Sequence, residues 1–226
     1  MKSIILLHGA IGANDQLEPL SKELTQQGFQ VFDFNFSGHG KMPFQNNFGI
    51  EQFAVELQQF IATQRLEKPN VFGYSMGGYV ALYLAHKQPT LLGNIITLGT
   101  KFEWTPEVAQ REMKMLDAKT VIEKAPKFAE ALKTRHGNDW AVLLQKTATM
   151  MQDLGNTNAL TLEAISRIEN YVTVGLADKD TMVSLTETTA VYKQLKNGSM
   201  YMLPNTKHPI ETVDVGLLTR IILSLK

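Results

Sequence analysis

Gly73-Tyr74-Ser75-Met76-Gly77-Gly78 sits between an apolar run, Asn70–Tyr74, that reads as a buried strand and a segment over 76–86 that reads as a helix. A serine in a tight strand-to-helix turn is a candidate nucleophile. Small residues two positions to either side let the neighbouring backbone pass close, and the hydroxyl stands out at the carboxyl end of the sheet. The backbone N–H of Met76, at the start of the helix, faces the same space. A serine hydroxyl needs a base to become nucleophilic, and the base needs an acid to orient it. Of the five histidines, His8 and His39 each precede a glycine and suit turns, His86 falls within the helix after the serine, and His136 stands beside Gly137 at a helix end. His208 differs, because it follows Leu203-Pro204-Asn205-Thr206-Lys207, a loop just past the last expected strand. Carboxyl-end loops are where an α/β sheet gathers its catalytic groups. Two carboxylates, Asp178 and Asp180, lie in the loop after the preceding strand, and both keep the chain order Ser, Asp, His.

The elements that must position these groups follow from hydrophobic pattern. Short apolar runs at 4–7, 30–34, 70–74, 94–98, 171–176 and 199–203 read as six strands. Between and after them, apolar residues at helical spacing predict helices over 16–27, 51–64, 76–86, 184–195 and 210–225. Strands alternating with helices imply an α/β fold: a doubly wound, mostly parallel sheet of about six strands with helices on both faces. Residues 101–167 break the rhythm, with helix-like patterns at 106–116, 118–133 and 139–154, the last opened by Asn138-Asp139 as capping residues. The expected division is therefore a core built from 1–100 and 168–226, with 101–167 inserted as a helical cap or lid.

Composition narrows the field. At 226 residues and 44% hydrophobic content the chain can bury one full core, which excludes a wholly disordered segment. Lysines plus arginines number 22 and so do aspartates plus glutamates, so there is no basic field for a nucleic-acid backbone or an anionic membrane. The absence of cysteine removes thiolate nucleophiles, disulfides and cysteine metal sites together. Only four apolar residues, Ile4 to Leu7, precede His8 and Gly9, too few for a secretory leader. No window reaches the length of a membrane span, so the expectation is cytoplasmic. No H-E-x-x-H is present, and His8-Gly9-Ala10-Ile11-Gly12 does not fit G-x-G-x-x-G, so neither a metal nor a dinucleotide cofactor is expected.

Taken together, Ser75 in Gly-Tyr-Ser-Met-Gly-Gly, an aspartate after the penultimate strand, His208 after the last, Leu6-Leu7-His8-Gly9 after the first and Ser37-Gly38-His39-Gly40 after the second resemble the α/β-hydrolase superfamily. The resemblance covers about two thirds of the chain, and the inserted helices fall where that family carries its cap. It implies a catalytic Ser75, His208 and aspartate. The family's Asp-to-Val spacing favours Asp180, which Ala177 precedes and Val183 follows by three residues, over Asp178, which answers to Gly175. It also implies an oxyanion hole from the N–H groups of Met76 and Ala10, with Ile11 as the other candidate for the second donor. The family's leading pair of antiparallel strands has no counterpart, since Ile4 already begins the strand before His-Gly.

The activity so implied is hydrolysis of a small carboxylic ester or related acyl compound through an acyl-enzyme on Ser75, with a small-molecule acyl substrate as the sole expected partner. Two alternatives use the same scaffold: other chemistry (C–C hydrolysis, a lyase step, cofactor-free peroxidation) and non-catalytic binding of a small ligand. Met113, Met115, Met150, Met151, Trp104, Phe128 and Trp140, all within the insertion, are candidates either to line an apolar acyl pocket or to pack the cap helices together.

Overall fold

Apolar runs without polar alternation are stable as strands only where both faces of the sheet are covered, and this requirement organises the molecule. The computed structural model describes residues 2–224. Met1, Leu225 and Lys226, which close the expected core segments and the last helix, lie outside the described residues. Six strands form one sheet, β1 (Ser3–Leu7), β2 (Gln30–Asp33), β3 (Asn70–Tyr74), β4 (Ile95–Leu98), β5 (Tyr171–Ala177) and β6 (Asn197–Leu203), in the order β2-β1-β3-β4-β5-β6. Every pairing is parallel, so the sheet is fully rather than mostly so.

Side-chain alternation divides the core. Ile4 and Leu6 of β1 join Phe72 of β3 beneath α1 (Glu18–Gln26) and α10 (Val215–Ser224). Ile5, Leu7 and Val71 turn the other way, to α2 (Ile50–Thr63), α3 (Met76–Lys87) and α9 (Leu185–Gln194). The central helix, α3, is buried from Met76 through Ala85, so its sequence is apolar on nearly all sides.

The strands are in register at the carboxyl edge: Leu7 pairs with Gly73, Gly73 with Thr97 and Thr97 with Val174. The loops beginning at His8, Ser75 and Gly99 thus open on one edge, and those after Ala177 and Leu203, whose strands run a little further, open beside them.

Between β4 and β5 lie α4 (Pro106–Met113), α5 (Ala118–Lys124), α6 (Pro126–His136), α7 (Trp140–Asn156) and α8 (Leu162–Ser166). Leu116, Val121, Ala129, Leu132 and Leu144 form their own small core, with Trp140 against it. The last of them, α8, instead packs on α3 and α9.

Three expectations are corrected here. The single helix over 118–133 is two, because Pro126 lacks an N–H and pushes Ala125 out of the helical region, to ψ 60. The helix expected from 210 begins at Val215, after a short 3-10 turn at Ile210–Thr212, where the Asp214 carboxylate accepts the Leu217 N–H at 2.8 Å. Asn138-Asp139 does not cap α7: both belong to a 3-10 turn, and Asp139 makes no side-chain cap bond.

Candidate active site

The turn after β3 owes its shape to the glycines at 73 and 77. Ser75 has φ 51 and ψ −117, a left-handed conformation that costs a non-glycine residue strain. The surrounding packing enforces it. A Cβ on Gly73 would stand 2.6 Å from the Gly77 carbonyl carbon, and one on Gly77 would stand 2.7 Å from both the Leu7 carbonyl carbon and its Cβ. Only hydrogen side chains allow β3, β1 and the first turn of α3 to approach so closely. The Ser75 N–H donates to the Leu98 carbonyl at 2.8 Å, and the Ser75 carbonyl accepts the Thr100 hydroxyl at 3.0 Å.

His208 and Asp180 come together from the loops after β6 and β5. The Asp180 Oδ2 accepts the His208 Nδ1–H at 2.7 Å, and the carboxylate side chain is 1% exposed. Its other oxygen, Oδ1, accepts the N–H groups of Met182 and Val183 at 2.8 and 2.9 Å. Burial pushes this carboxyl up, but the hydrogen bond and charge of His208, with those two N–H groups, outweigh it and hold the group below the ordinary aspartate value. The imidazole is fixed from behind: the Tyr74 hydroxyl donates to the His208 carbonyl at 3.0 Å, and the two rings stand 5.5 Å apart. Gly99, at φ +61, leaves room for the pair, since a Cβ there would sit 3.3 Å from the imidazole.

Asp178 is placed elsewhere. Its carboxylate accepts the Thr206 N–H at 2.9 Å, and it sits exposed on the loop surface, where the Asn205 and Thr206 N–H groups hold its pKa down. It links the loop carrying Asp180 to the loop carrying His208 and does not touch the imidazole ring.

Ser75, Met76, Ala10 and His208 line one cavity of about 50 Å³ with Met150, Met151, Trp104 and Leu154. Ile50, Met150 and Leu154 also wall a larger open cleft of about 560 Å³ alongside. Of the other candidates, Trp140 takes the alternative role and packs within the inserted helices, Met115 and Phe128 are exposed, and Met113 is outside the lining.

Two charged residues of the cavity, Lys101 and Glu112, escaped the sequence reading. Lys101 Nζ donates to the Met182 carbonyl at 2.6 Å and stands 3.8 Å from both Glu112 and Glu187. Glu187 in turn accepts the N–H groups of Phe102 and Glu103 at 3.0 and 2.9 Å. A signal for Glu112 was available, because it falls three residues after the buried Ala109 on the inward face of α4. Among the described residues no cluster of three or more His, Asp or Glu is arranged to hold a metal, and no helix is long and apolar enough to cross a membrane.

Comparison with known proteins agrees with this fold. A family model described as "alpha/beta hydrolase fold" matches residues 2–132. A triacylglycerol lipase of Pseudarthrobacter phenanthrenivorans is 30% identical over 103 residues, 43% of this chain and 32% of the lipase. The human serine hydrolase BPHL is 22% identical over 214 residues, 91% of this chain and 72% of that protein. Among solved structures, a thermophilic esterase from Thermogutta terrifontis superposes with a TM-score of 0.81 at 17% identity, covering 99% of this chain and 88% of the esterase. The matched segments span about a third of the length of the first curated relatives. With more than half of its length matched by the family model, and with a parallel sheet carrying the family's strand-turn-helix at Ser75, the chain belongs to the α/β-hydrolase fold family.

Proposed function

We propose that this chain is a serine hydrolase that cleaves a small carboxylic ester, or a related acyl compound, through an acyl-enzyme on Ser75. The observation that carries this reading is the 2.7 Å hydrogen bond from His208 to the buried Asp180, on the same cavity as the strained Ser75. With Nδ1–H committed to Asp180, Nε2 of His208 is the free basic nitrogen. It takes the Ser75 proton as the oxygen attacks the ester carbonyl, and the imidazolium so formed is stabilised by Asp180, which stays ionised. The oxyanion is received by the N–H groups of Met76 and Ala10, with Ile11 the alternative second donor. The imidazolium then protonates the departing alkoxide. Water repeats the sequence on the acyl-enzyme: His208 removes its proton, the hydroxide oxygen adds to the carbonyl, and Ser75 leaves with the proton restored.

Substrate size follows from the cavity. A small, largely apolar cavity of about 50 Å³ favours a short acyl chain over a long one. Residues 101–167 act as the cap in this reading, contributing Trp104, Met150, Met151 and Leu154 to the lining.

The test is a fluorophosphonate probe together with a p-nitrophenyl ester series from acetyl to octanoyl, applied to the wild type and to Ser75→Ala. The wild type should be labelled and turn over the short esters best, and Ser75→Ala should do neither. Equal labelling of the two proteins, or ester turnover that survives in Ser75→Ala, overturns the reading. Vigorous turnover of a diketone or a peracid with negligible ester hydrolysis transfers the site to the other chemistries of this scaffold.

A further inference from the structure

We infer that His136, the last residue of α6, is a positioning residue that holds the oxyanion loop after β1 in its working shape; the inference rests on the reading of Ser75 as the nucleophile. The loop is short and strained. The Gly12 N–H donates to the Gly9 carbonyl at 3.1 Å, closing a four-residue turn with Ala10 and Ile11 at its centre. Ile11 has φ 51, a left-handed conformation that turns usually give to glycine and that a β-branched side chain resists. An isoleucine stays there only if something outside the turn fixes it.

His136 supplies that contact from 125 residues away in sequence. Its Nε2 lies 2.9 Å from the Ile11 carbonyl oxygen, and its Nδ1 lies 3.0 Å from the Gly40 nitrogen. Because the Gly40 N–H donates to Nδ1, that nitrogen carries the lone pair and the proton is on Nε2, where it donates to Ile11. The ring is 3% exposed, so no solvent competes for either bond. The charged and titratable groups around it are Arg135, which pairs with Asp15 at 3.1 Å, and His39, whose ring lies 6.0 Å away with His8 behind it.

These bonds bear on the chemistry through the peptide they pin. The Ile11–Gly12 peptide is held by its carbonyl on His136 and by its N–H on Gly9. The two peptides immediately before it carry the N–H groups of Ile11 and Ala10, the two candidates for the second oxyanion donor. Anchoring α6 does not require the histidine, because Ala129 and Leu132 already pack that helix into the inserted core and Arg135 ties its end to Asp15.

Three substitutions separate the two bonds. His136→Gln keeps an amide donor at the ε position for Ile11, His136→Asn keeps an acceptor at the δ position for Gly40, and His136→Ala keeps neither. With p-nitrophenyl acetate as probe, kcat is expected to fall about 100-fold in the Ala and Asn variants, the scale of a ~1 Å displacement of catalytic groups. KM should stay within about threefold, since a group acting only in the transition state leaves ground-state binding alone. His136→Gln should recover at least about tenfold of the lost kcat. Thermal unfolding of each variant checks that it is folded, and a cooperative transition is expected for all three. Equal kcat in the Asn and Gln variants, or wild-type kcat in His136→Ala, overturns the inference while leaving the hydrolase reading standing. Turnover retained by Ser75→Ala overturns that reading, and this inference with it.

Discussion

Replacing Gly77 by alanine tests whether the approach of α3 to β1 sets the catalytic geometry. The added methyl carbon would lie 2.7 Å from the carbonyl carbon and the Cβ of Leu7, where ordinary contact begins at 3.4 Å, and the carbonyl oxygen is closer still. About 0.7 Å of separation is therefore missing, and both neighbours are rigid. Leu7 is fully buried in β1 and paired to Gly73 of β3, while Gly77 lies in the first turn of α3. The strain has one outlet, a shift of the α3 amino terminus away from β1. Met76 rides on that terminus, and Ala10 follows β1 by three residues, so the shift separates the two candidate oxyanion donors. Overpacking of this kind costs about 1–3 kcal/mol, or roughly 2–12 °C in Tm for a chain of this length. The catalytic loss should be larger, about 100-fold in kcat by the displacement scale above. Gly28→Ala is the control. At φ +86 with nothing within 4 Å, it pays a conformational strain of about 1–2 kcal/mol far from the site and should leave kcat unchanged. Ester kinetics and thermal unfolding, run on both variants, provide the readout. If Gly77→Ala loses stability like Gly28→Ala yet keeps wild-type kcat, the argument that this contact positions the donors is refuted.

Two further outcomes follow from the loops and the buried histidines. Asp180→Asn should lower kcat by about 10⁴-fold, because an amide in place of Oδ2 disfavours the His208 tautomer that accepts from Ser75. Asp178→Asn, whose exposed carboxylate serves backbone N–H groups of the neighbouring loop, should change kcat by less than about threefold, and a reversed ranking in ester kinetics would reassign the acid. Acid should also destabilise the fold through His8, which burial holds down at about 4 from its ordinary 6.5. Its Nε2 accepts the Phe36 N–H at 3.2 Å, so protonation forfeits that bond. Because the unfolded chain protonates first, stability is unaffected above pH 6.5 and declines as pH falls from 6.5 to about 4, by about 3 kcal/mol from His8 alone at 1.36 kcal/mol per unit. Burial depresses His39 and His136 in the same direction. Urea unfolding at pH 7 and at pH 4.5 measures the difference, and equal midpoints would show that the cluster accommodates the protons.

Local chemistry made most of the core legible in advance. The strands could be read because parallel strands covered on both faces are continuous apolar runs, and Ser75 stood out because its turn demands glycine at 73 and 77. The preference for Asp180 over Asp178 came from the family resemblance, which places a valine three positions after the acid, and in the structure one oxygen of Asp180 accepts the Val183 N–H. What escaped was long-range. Nothing near His136 in sequence points to Ile11, and its place beside Gly137 marks a helix end whether or not the ring is buried. Lys101 and Glu112 meet only after the inserted helices fold back over the sheet. The missed break at Pro126 was a local signal outweighed by helical periodicity that runs on both sides of it. The unforeseen α8 is a five-residue helix, too short for periodicity to register, and is announced only by Thr161, whose side chain accepts the Ala164 N–H.

The polar contacts that the inserted helices make with the core argue for more than a covering role. Buried ion pairs contribute little net stability, and apolar replacements of similar volume are often neutral or better. Lys101 with Glu112 and Glu187 is therefore poorly explained as a stabilising cluster. What it fixes is more specific: Lys101 holds the Met182 carbonyl, and the Met182 and Val183 N–H groups hold the Oδ1 of Asp180, whose other oxygen meets His208. On the loop after β1, His136 holds the carbonyl of Ile11. Helices α4 and α6 thus each place one polar side chain against a core loop, α4 through Glu112 beside the acid's loop and α6 through His136 on the loop after β1. A different inserted segment with the same apolar lining but without these two groups would fill the cavity equally well, yet leave the Ile11 carbonyl without its donor and Lys101 with Glu187 as its one remaining carboxylate. If Ser75 is the nucleophile as proposed, changing the segment to alter acyl preference is expected to alter turnover as well, because the side chain at 136 contacts the loop after β1 and the one at 112 pairs with the lysine that holds Met182.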